Sequence, residues 1–429
     1  MKVAIIGGGI IGLTLGYSLI KEGHNVTILE KNSQAGGQAR SLKINDFTIE
    51  RYYHCILGSD LNVISLIKEL GINDKLFFVD ATSGCYSEGK IYPMSKPADF
   101  LTFPPLSFFE RSRLALGSQY IRLVPDWKAL DNISLKGYLE KIYGKKVYNK
   151  FWKYLFKAKF DRTVDKLSAT YIWSRVKRIS SSDQKLLGWD KIGYLRNGGY
   201  SMIVNKLNGE IEKNGGKVLL NKNVKKFIIE KNKIKGIELE DGIFEADKVI
   251  STIDLDSYKH LFPDGYDDYQ RSLDIDYMNI ICVMLISKKK LTPYHTLYIL
   301  DENIPFTGII EMTNLIDPSD VGGKNIIYLS KYISPGNPYF DKPSQELIDD
   351  FVSWLIKMFP EYDISNIEQT FCSKEKSVEP VHCIGSGNEI PVITPVEELY
   401  LINSSQIHPK IPHCNALIEL AGEAIKKLN

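Results

Sequence analysis

The 429-residue sequence predicts an α/β protein in which a parallel-sheet domain is interleaved with a second domain, itself a β-sheet with a helical cap. Three observations predict it. A β-α-β unit of about thirty residues opens the chain. A stretch rich in Pro, Phe, Trp and Tyr, helical in its later periodicity, occupies about residues 91–195. Strand-and-helix texture then returns at 196–258 and again at 388–429. We therefore expect residues 1–90, 196–258 and 388–429 to build the first domain, 91–195 the cap and 259–387 the second sheet.

Residues 2–6 (KVAII) form the short apolar run of a buried parallel strand. Gly7-Gly8-Gly9 ends it, a helical pattern runs to about Gly23, and a second strand comes next at 25–30 (NVTILE). Residues 3–20 carry no charge and approach the length of a spanning helix. Three glycines where such a helix should be strongest, and no basic n-region before it, favour strand, turn and helix instead. Residues 60–71 read as an amphipathic helix with Val63, Leu66, Ile67 and Leu70 on one face. A helix at 201–213 ends at Gly215-Gly216, and the strands KVLL, VKKFIIE, KGIELED and DKVISTI come after it. Residues 277–287 and 324–332 look like strands of the other sheet, and 344–358 like a helix. A strand at 398–402 and a helix at 415–428 close the chain.

Composition excludes several roles. Lys+Arg number 54 against 52 for Asp+Glu, a balance that argues against nucleic-acid binding. Hydrophobic residues at 44% and charged at 25% suit an ordinary globular chain. The six cysteines are scattered, with no CxxC and no ligand spacing, so we expect no metal site and a reducing, cytoplasmic setting.

Gly7-x-Gly9-x-x-Gly12 sits directly after a strand and opens a helix. Gly7 permits the tight turn, Gly9 removes the Cβ that would block a pyrophosphate, and Gly12 lets helix and strand pack closely. Glu30 ends the second strand, placed for a ribose hydroxyl. The unit is thus a Rossmann-type dinucleotide-binding motif. No second GxGxxG occurs, which argues against a separate NAD(P)H domain.

The next segment, Glu30-Lys31-Asn32-Ser33-Gln34-Ala35-Gly36-Gly37-Gln38-Ala39-Arg40-Ser41, and then Glu50-Arg51-Tyr52-Tyr53-His54-Cys55 resemble the flavin amine oxidase superfamily. The resemblance is to its protoporphyrinogen-oxidase-like and phytoene-desaturase-like members and, more remotely, to UDP-galactopyranose mutases. LTFPPLSFFERSRL, GIIEMTN, YLSKYISP and ELYLINSSQIHPKIPHCNA extend it along the chain. It implies a glutathione-reductase-like FAD-binding domain and non-covalent FAD. It also implies cofactor contacts from Gly7, Gly9, Ile10, Ile11, Gly12, Glu30, Lys31, Gly37, Gln38, Ala39, Arg40, Tyr53, His54, Val224, Asn403, Gln406, Ile407, Asn415 and Ala416. Lys410-Ile411-Pro412-His413-Cys414 departs from the acidic-Arg-Gly turn of close relatives.

A flavin oxidoreductase takes hydride from a substrate C–H bond at N5, so placement within about 3–3.5 Å matters more than a triad. Aromatic walls are expected from Tyr53, Trp152, Trp173, Tyr200 and Tyr332. His54, Tyr53, Tyr200 and Glu311 are the catalytic candidates. His54 either orients substrate and moves a proton or fixes a loop. Glu311, beside Thr313 and Asn314, is either a base or a solvated strand carboxylate. Lys331 is either the partner of an anionic substrate or a solvated cation. Residues 100–109 (FLTFPPLSFF) are either the packed start of the cap or a membrane-dipping entrance. The resemblance implies a small-molecule substrate of a surface-glycan or lipid pathway and an oxygen or quinone acceptor. Peripheral membrane contact and oligomeric state stay open. Two alternatives compete: a redox-neutral nucleotide-sugar mutase and a non-enzymatic FAD-binding protein. The first is disfavoured because all ten arginines precede residue 272, leaving only lysines to grip a second phosphate site.

Overall fold

The computed structural model describes residues 1–95, 99, 102–180, 191–387 and 390–428. Phe100 and Leu101 of the 100–109 stretch, residues 181–190 of the expected cap and 388–389 at the start of the last segment lie outside the described residues.

The first core is a five-stranded parallel sheet, in the order Lys217–Leu219, Asn25–Leu29, Lys2–Ile6, Lys248–Ser251, Leu399–Leu401. Its strands are apolar on both faces because both are covered. Val3 and Ile5 pack with Leu13, Leu15 and Leu207, from the helices Ile10–Lys21 and Tyr200–Lys213. Ala4 and Ile6 face the other way, into a core with Phe227 and Ile237 of the antiparallel sheet Val224–Glu230, Lys233–Leu239, Gly242–Glu245. One strand alone separates the first strand of the chain from the last. The two ends of the sequence therefore meet in one layer.

The second domain carries a seven-stranded sheet, in the order Ile367–Pro380, Tyr277–Ser287, Asn325–Ile333, Gly308–Glu311, Thr296–Ile299, Ser83–Ser87, Lys90–Pro93. All eleven residues of Tyr277–Ser287 are buried. Ile281, Val283 and Leu285 pack toward the helix Ser344–Met358, whereas Cys282, Met284 and Ile286 face a second core with Tyr194 and Met312. The cap helices Phe108–Leu123, Leu135–Tyr143, Lys153–Phe160 and Thr170–Ser180 close over Phe103, Tyr143, Phe151 and Phe160.

Three short strands lie away from their expected neighbours, Lys90–Pro93 among them as the hairpin partner of Ser83–Ser87. Ser83–Ser87, placed by sequence with the first segment, pairs in parallel with Thr296–Ile299 at the edge of the large sheet. Ile192–Leu195, placed with the cap, pairs with Ile56–Leu57 and Leu76–Val79. Local alternation marks a strand but not its partner; distant pairing decides which sheet it joins. Among the described residues no helix is long and apolar enough to cross a membrane, and no cluster of three or more His, Cys, Asp or Glu is arranged to hold a metal.

Candidate active site

A cavity of about 1340 Å³ runs from the N-terminal glycines to the aromatic cap. Its first end is made of backbone. Gly7 leaves the strand at φ 103°, and its N–H donates to Leu29 O at 2.9 Å. A second glycine turn, Gly36 at φ 120° and Gly37 at φ 56°, abuts the first through Gly36 N–H to Gly8 O at 2.7 Å. Glu30 is buried and holds both loops: Oε2 accepts from Gly8 N at 2.9 Å and Oε1 from Asn32 N at 2.9 Å.

This end fits FAD. A Cβ built on Gly9 meets nothing nearer than the Gly37 Cα at 4.0 Å, so the glycine leaves open wall where a diphosphate needs close approach. Among the described residues no side chain caps the helix Ile10–Lys21, and no acid sits in its first turn, leaving its N–H groups to an anion. Ile10, Ile11, Glu30, Lys31, Gly37, Gln38, Ala39, Arg40 and Val224 also line the cavity. Gly12 does not. Its Cβ would lie 2.0 Å from Gly7 O, so this glycine serves helix–strand packing. Arg40 is anchored by Gly37 O at 2.8 Å and by Glu375 at 2.7 Å.

Tyr53, His54 and Tyr200 form the middle wall. Nδ1 of His54 lies 2.9 Å from Oε1 of the buried Glu50, and its ring stands edge-on to Tyr200 at 5.4 Å. A hydrogen bond from Nδ1–H to Glu50 Oε1 leaves Nε2 as an acceptor. Tyr200 Oη donates to Cys55 O at 3.2 Å, and Tyr53 Oη lies 3.4 Å from Ser330 Oγ. The middle wall thus pairs a carboxylate-held imidazole with two aromatic rings.

Several expected contacts are used elsewhere. Glu311 is fully buried outside the cavity wall and accepts from Leu291 N at 2.8 Å, Thr292 N at 2.7 Å and Thr292 Oγ1 at 3.2 Å. It ties down a loop and does not line the cavity; burial pushes its carboxyl up to about 7. Lys331 lies outside the wall, over the Tyr339 ring at 5.4 Å. Trp173 donates to Val124 O at 2.9 Å rather than lining the cavity. At the C-terminal segment, Asn403 and Gln406 cap the short helix Ser404–Ile407, and Asn403 Nδ2 donates to Ile253 O at 2.8 Å. Asn415 Oδ1 accepts from Asn62 N at 2.7 Å and Val63 N at 3.2 Å. Ile407 and Ala416 are buried core. The wall positions supplied instead are Ser404, Ile411, Pro412, His413, Cys414 and Leu417.

The far end brings the expected Trp152 and Tyr332 together with Lys159, Tyr171, Arg175, His295, Tyr298 and Glu379, which the sequence does not single out. Lys159 Nζ pairs with Glu379 at 2.8 Å and lies over the Tyr332 ring at 5.0 Å. Arg175, Tyr171, Tyr298 and Trp152 share this wall. His295, also in the wall, is held near 4 by burial and is therefore neutral at pH 7; among the described residues its Nε2 has no hydrogen-bond partner. No spacing rule unites these residues, because they come from several different elements.

Comparison with known proteins agrees with this geometry. Residues 11–380 match the family model described as flavin containing amine oxidoreductase. The chain is 23% identical over 390 residues to 15-cis-phytoene desaturase of Synechococcus elongatus, covering 84% of this chain and 81% of that one. Among solved structures, an oxidoreductase from Methanosarcina mazei superposes with TM-score 0.75 at 20% identity, over 99% of this chain and 100% of that chain. Reduced UDP-galactopyranose mutase does so with TM-score 0.75 at 16% identity, over 100% and 95%. Glycine cradle, parallel sheet and matched length lead to one conclusion: this chain is an FAD-dependent oxidoreductase belonging to the flavin containing amine oxidoreductase family.

Proposed function

We propose that the chain removes hydride from a C–H bond of a small lipophilic substrate, next to nitrogen or an alkene, and passes the electrons on to oxygen or a quinone. The observation that carries this reading is one continuous cavity joining the glycine cradle, the Tyr53–His54–Tyr200 wall and the apolar cap. FAD supplies the two-electron acceptor. The protein supplies placement: aromatic faces orient the substrate, the cap excludes water, and His54, held by Glu50, can take up a proton at Nε2. Anaerobic mixing of purified holoprotein with amines, porphyrinogens, polyprenyl lipids and nucleotide sugars tests it. Bleaching of the flavin by one of these classes is expected. Sugar isomerisation with no net reduction would overturn it in favour of a mutase.

We further propose peripheral contact with an anionic membrane in a cytoplasmic setting. The helix Phe108–Leu123 exposes Phe109 (83%), Leu116 (72%) and Leu123 (78%), and Leu116 also borders the cavity. Arg113 and Lys141 flank this face, the charge pattern that suits anionic lipid. Co-sedimentation with phosphatidylglycerol vesicles should fall at least several-fold in L116E/L123E; unchanged binding would remove the contact.

A further inference from the structure

The substrate end of the cavity holds a largely buried cation that no acid of the wall neutralises. Arg175, on the helix Thr170–Ser180, lines the cavity and is mostly buried. Among the described residues it makes no hydrogen bond or ion pair. The nearby carboxylate, Glu379, is 5% exposed; its Oε2 pairs with Lys159, its Oε1 has no hydrogen-bond partner among the described residues, and it lies within electrostatic reach of Arg175 without bonding it. The other acids of the wall are committed. Glu375 pairs with Arg40, Glu30 holds Gly8 and Asn32, and Asp254 caps the helix Leu255–Lys259.

A guanidinium withdrawn from water without a counter-ion is costly, and an entering anion relieves that cost. Its planar fork suits a carboxylate or phosphate, which it grips through two parallel N–H donors. Tyr171, Tyr298 and Tyr332 lie within electrostatic reach of Arg175. An alkylammonium ion at the same place would meet both Arg175 and Lys159 and be repelled. The family's name points to amines, but the charge at this end points the other way.

We propose that the substrate carries an anionic head group, carboxylate or phosphate, gripped by Arg175 with Lys159 adding charge, while its apolar body lies against Trp152, Leu155 and Phe156. The proposal deepens the oxidoreductase reading and rests on it for the chemistry after binding.

The test titrates the FAD-loaded protein with octanoate, octyl phosphate, octanol and octylamine. Flavin absorbance and the fluorescence lost in W152F are the two readouts. Both anions should bind at least ten-fold more tightly than octanol, with octylamine weakest. R175Q should weaken the anions by about ten- to hundred-fold and leave octanol unchanged, while R175K restores part of the loss. The ratio of octanoate to octyl phosphate affinity tells carboxylate from phosphate. Equal binding of amine and anion, no saturable anion binding, or equal weakening of all the probes by R175Q would overturn the proposal. The two readings fail separately. Protein that takes up no FAD yet shows Arg175-dependent anion quenching of Trp152 defeats the oxidoreductase reading alone. Flavin bleaching without anion preference defeats this one alone.

Discussion

The two ends of the cavity are built from different materials. The cofactor end is backbone: Gly7, Gly9, Gly36, Gly37 and a bare helix N-terminus, all within the first forty residues. The substrate end is side chain: Lys159, Arg175, His295, Tyr332 and Glu379, each from a separate element. Recognition by backbone demands glycines at fixed spacing. Recognition by side chain demands only that the finished fold bring certain groups together.

The largest expected effect separates two glycines of one motif. G12A drives a Cβ to 2.0 Å from Gly7 O, a backbone atom pinned within the first turn. The FAD-free protein should lose about 3 kcal/mol or more of stability, read by denaturant melts. G9V places its side chain in open cavity and should leave the FAD-free melt unchanged while weakening FAD by roughly 100-fold or more. If G9V took up FAD normally, the contrast between a packing glycine and a ligand glycine would disappear.

This difference explains what is legible in the sequence. Strand, glycine turn, helix and Glu30 are near neighbours in the chain, and the structure places them at one wall as their spacing requires. The apolar run 277–287 is equally readable, because a doubly covered strand has no polar face to hide. Arg175 is one of ten arginines, and nothing local distinguishes it. Only the absence of a folded partner does. Local reading misplaces the hairpin Ser83–Ser87 and Lys90–Pro93 for the same reason, since its partner lies some two hundred residues downstream.

A smaller effect tests whether Glu311 stands apart from the site. Burial raises its pKa from 4.5 to about 7, so the folded state binds the extra proton across that window. Its contribution to stability is complete below pH 4.5 and is lost as pH rises through 7, by about 3 kcal/mol. His295, whose backbone carbonyl accepts from Glu311 N at 2.8 Å, runs opposite: burial lowers it from 6.5 to about 4. Its contribution is complete above pH 6.5 and is lost as pH falls through 4, again by about 3 kcal/mol. His382 and His413, each lowered by burial to about 3, climb across the same window as His295, so the native protein gains stability from pH 4.5 to 6.5 despite Glu311. E311Q should steepen that climb and H295N should flatten it, both read from urea midpoints. The slope is the readout, because either substitution also disturbs hydrogen bonds and shifts the absolute level. Identical slopes in native and E311Q protein would show that Glu311 titrates as an ordinary carboxylate.

The smallest effect bears on the C-terminal segment, where resemblance and geometry disagree. Resemblance makes Asn415 an FAD contact. In the fold its side chain turns away and accepts from Asn62 N and Val63 N, at the start of the helix Leu61–Glu69. That helix receives no capping hydrogen bond from the side chain of Asp60, its own N-cap residue, so a residue more than 350 positions away satisfies the exposed donors. N415A should therefore cost about 1 kcal/mol of stability, the value of a lost cap, and leave the FAD dissociation constant unchanged. N415D should retain the melt, because a carboxylate accepts the same two N–H groups. A ten-fold loss of FAD affinity in N415A at unchanged stability would return Asn415 to the cofactor, and would extend side-chain recognition into the end of the cavity now assigned to backbone.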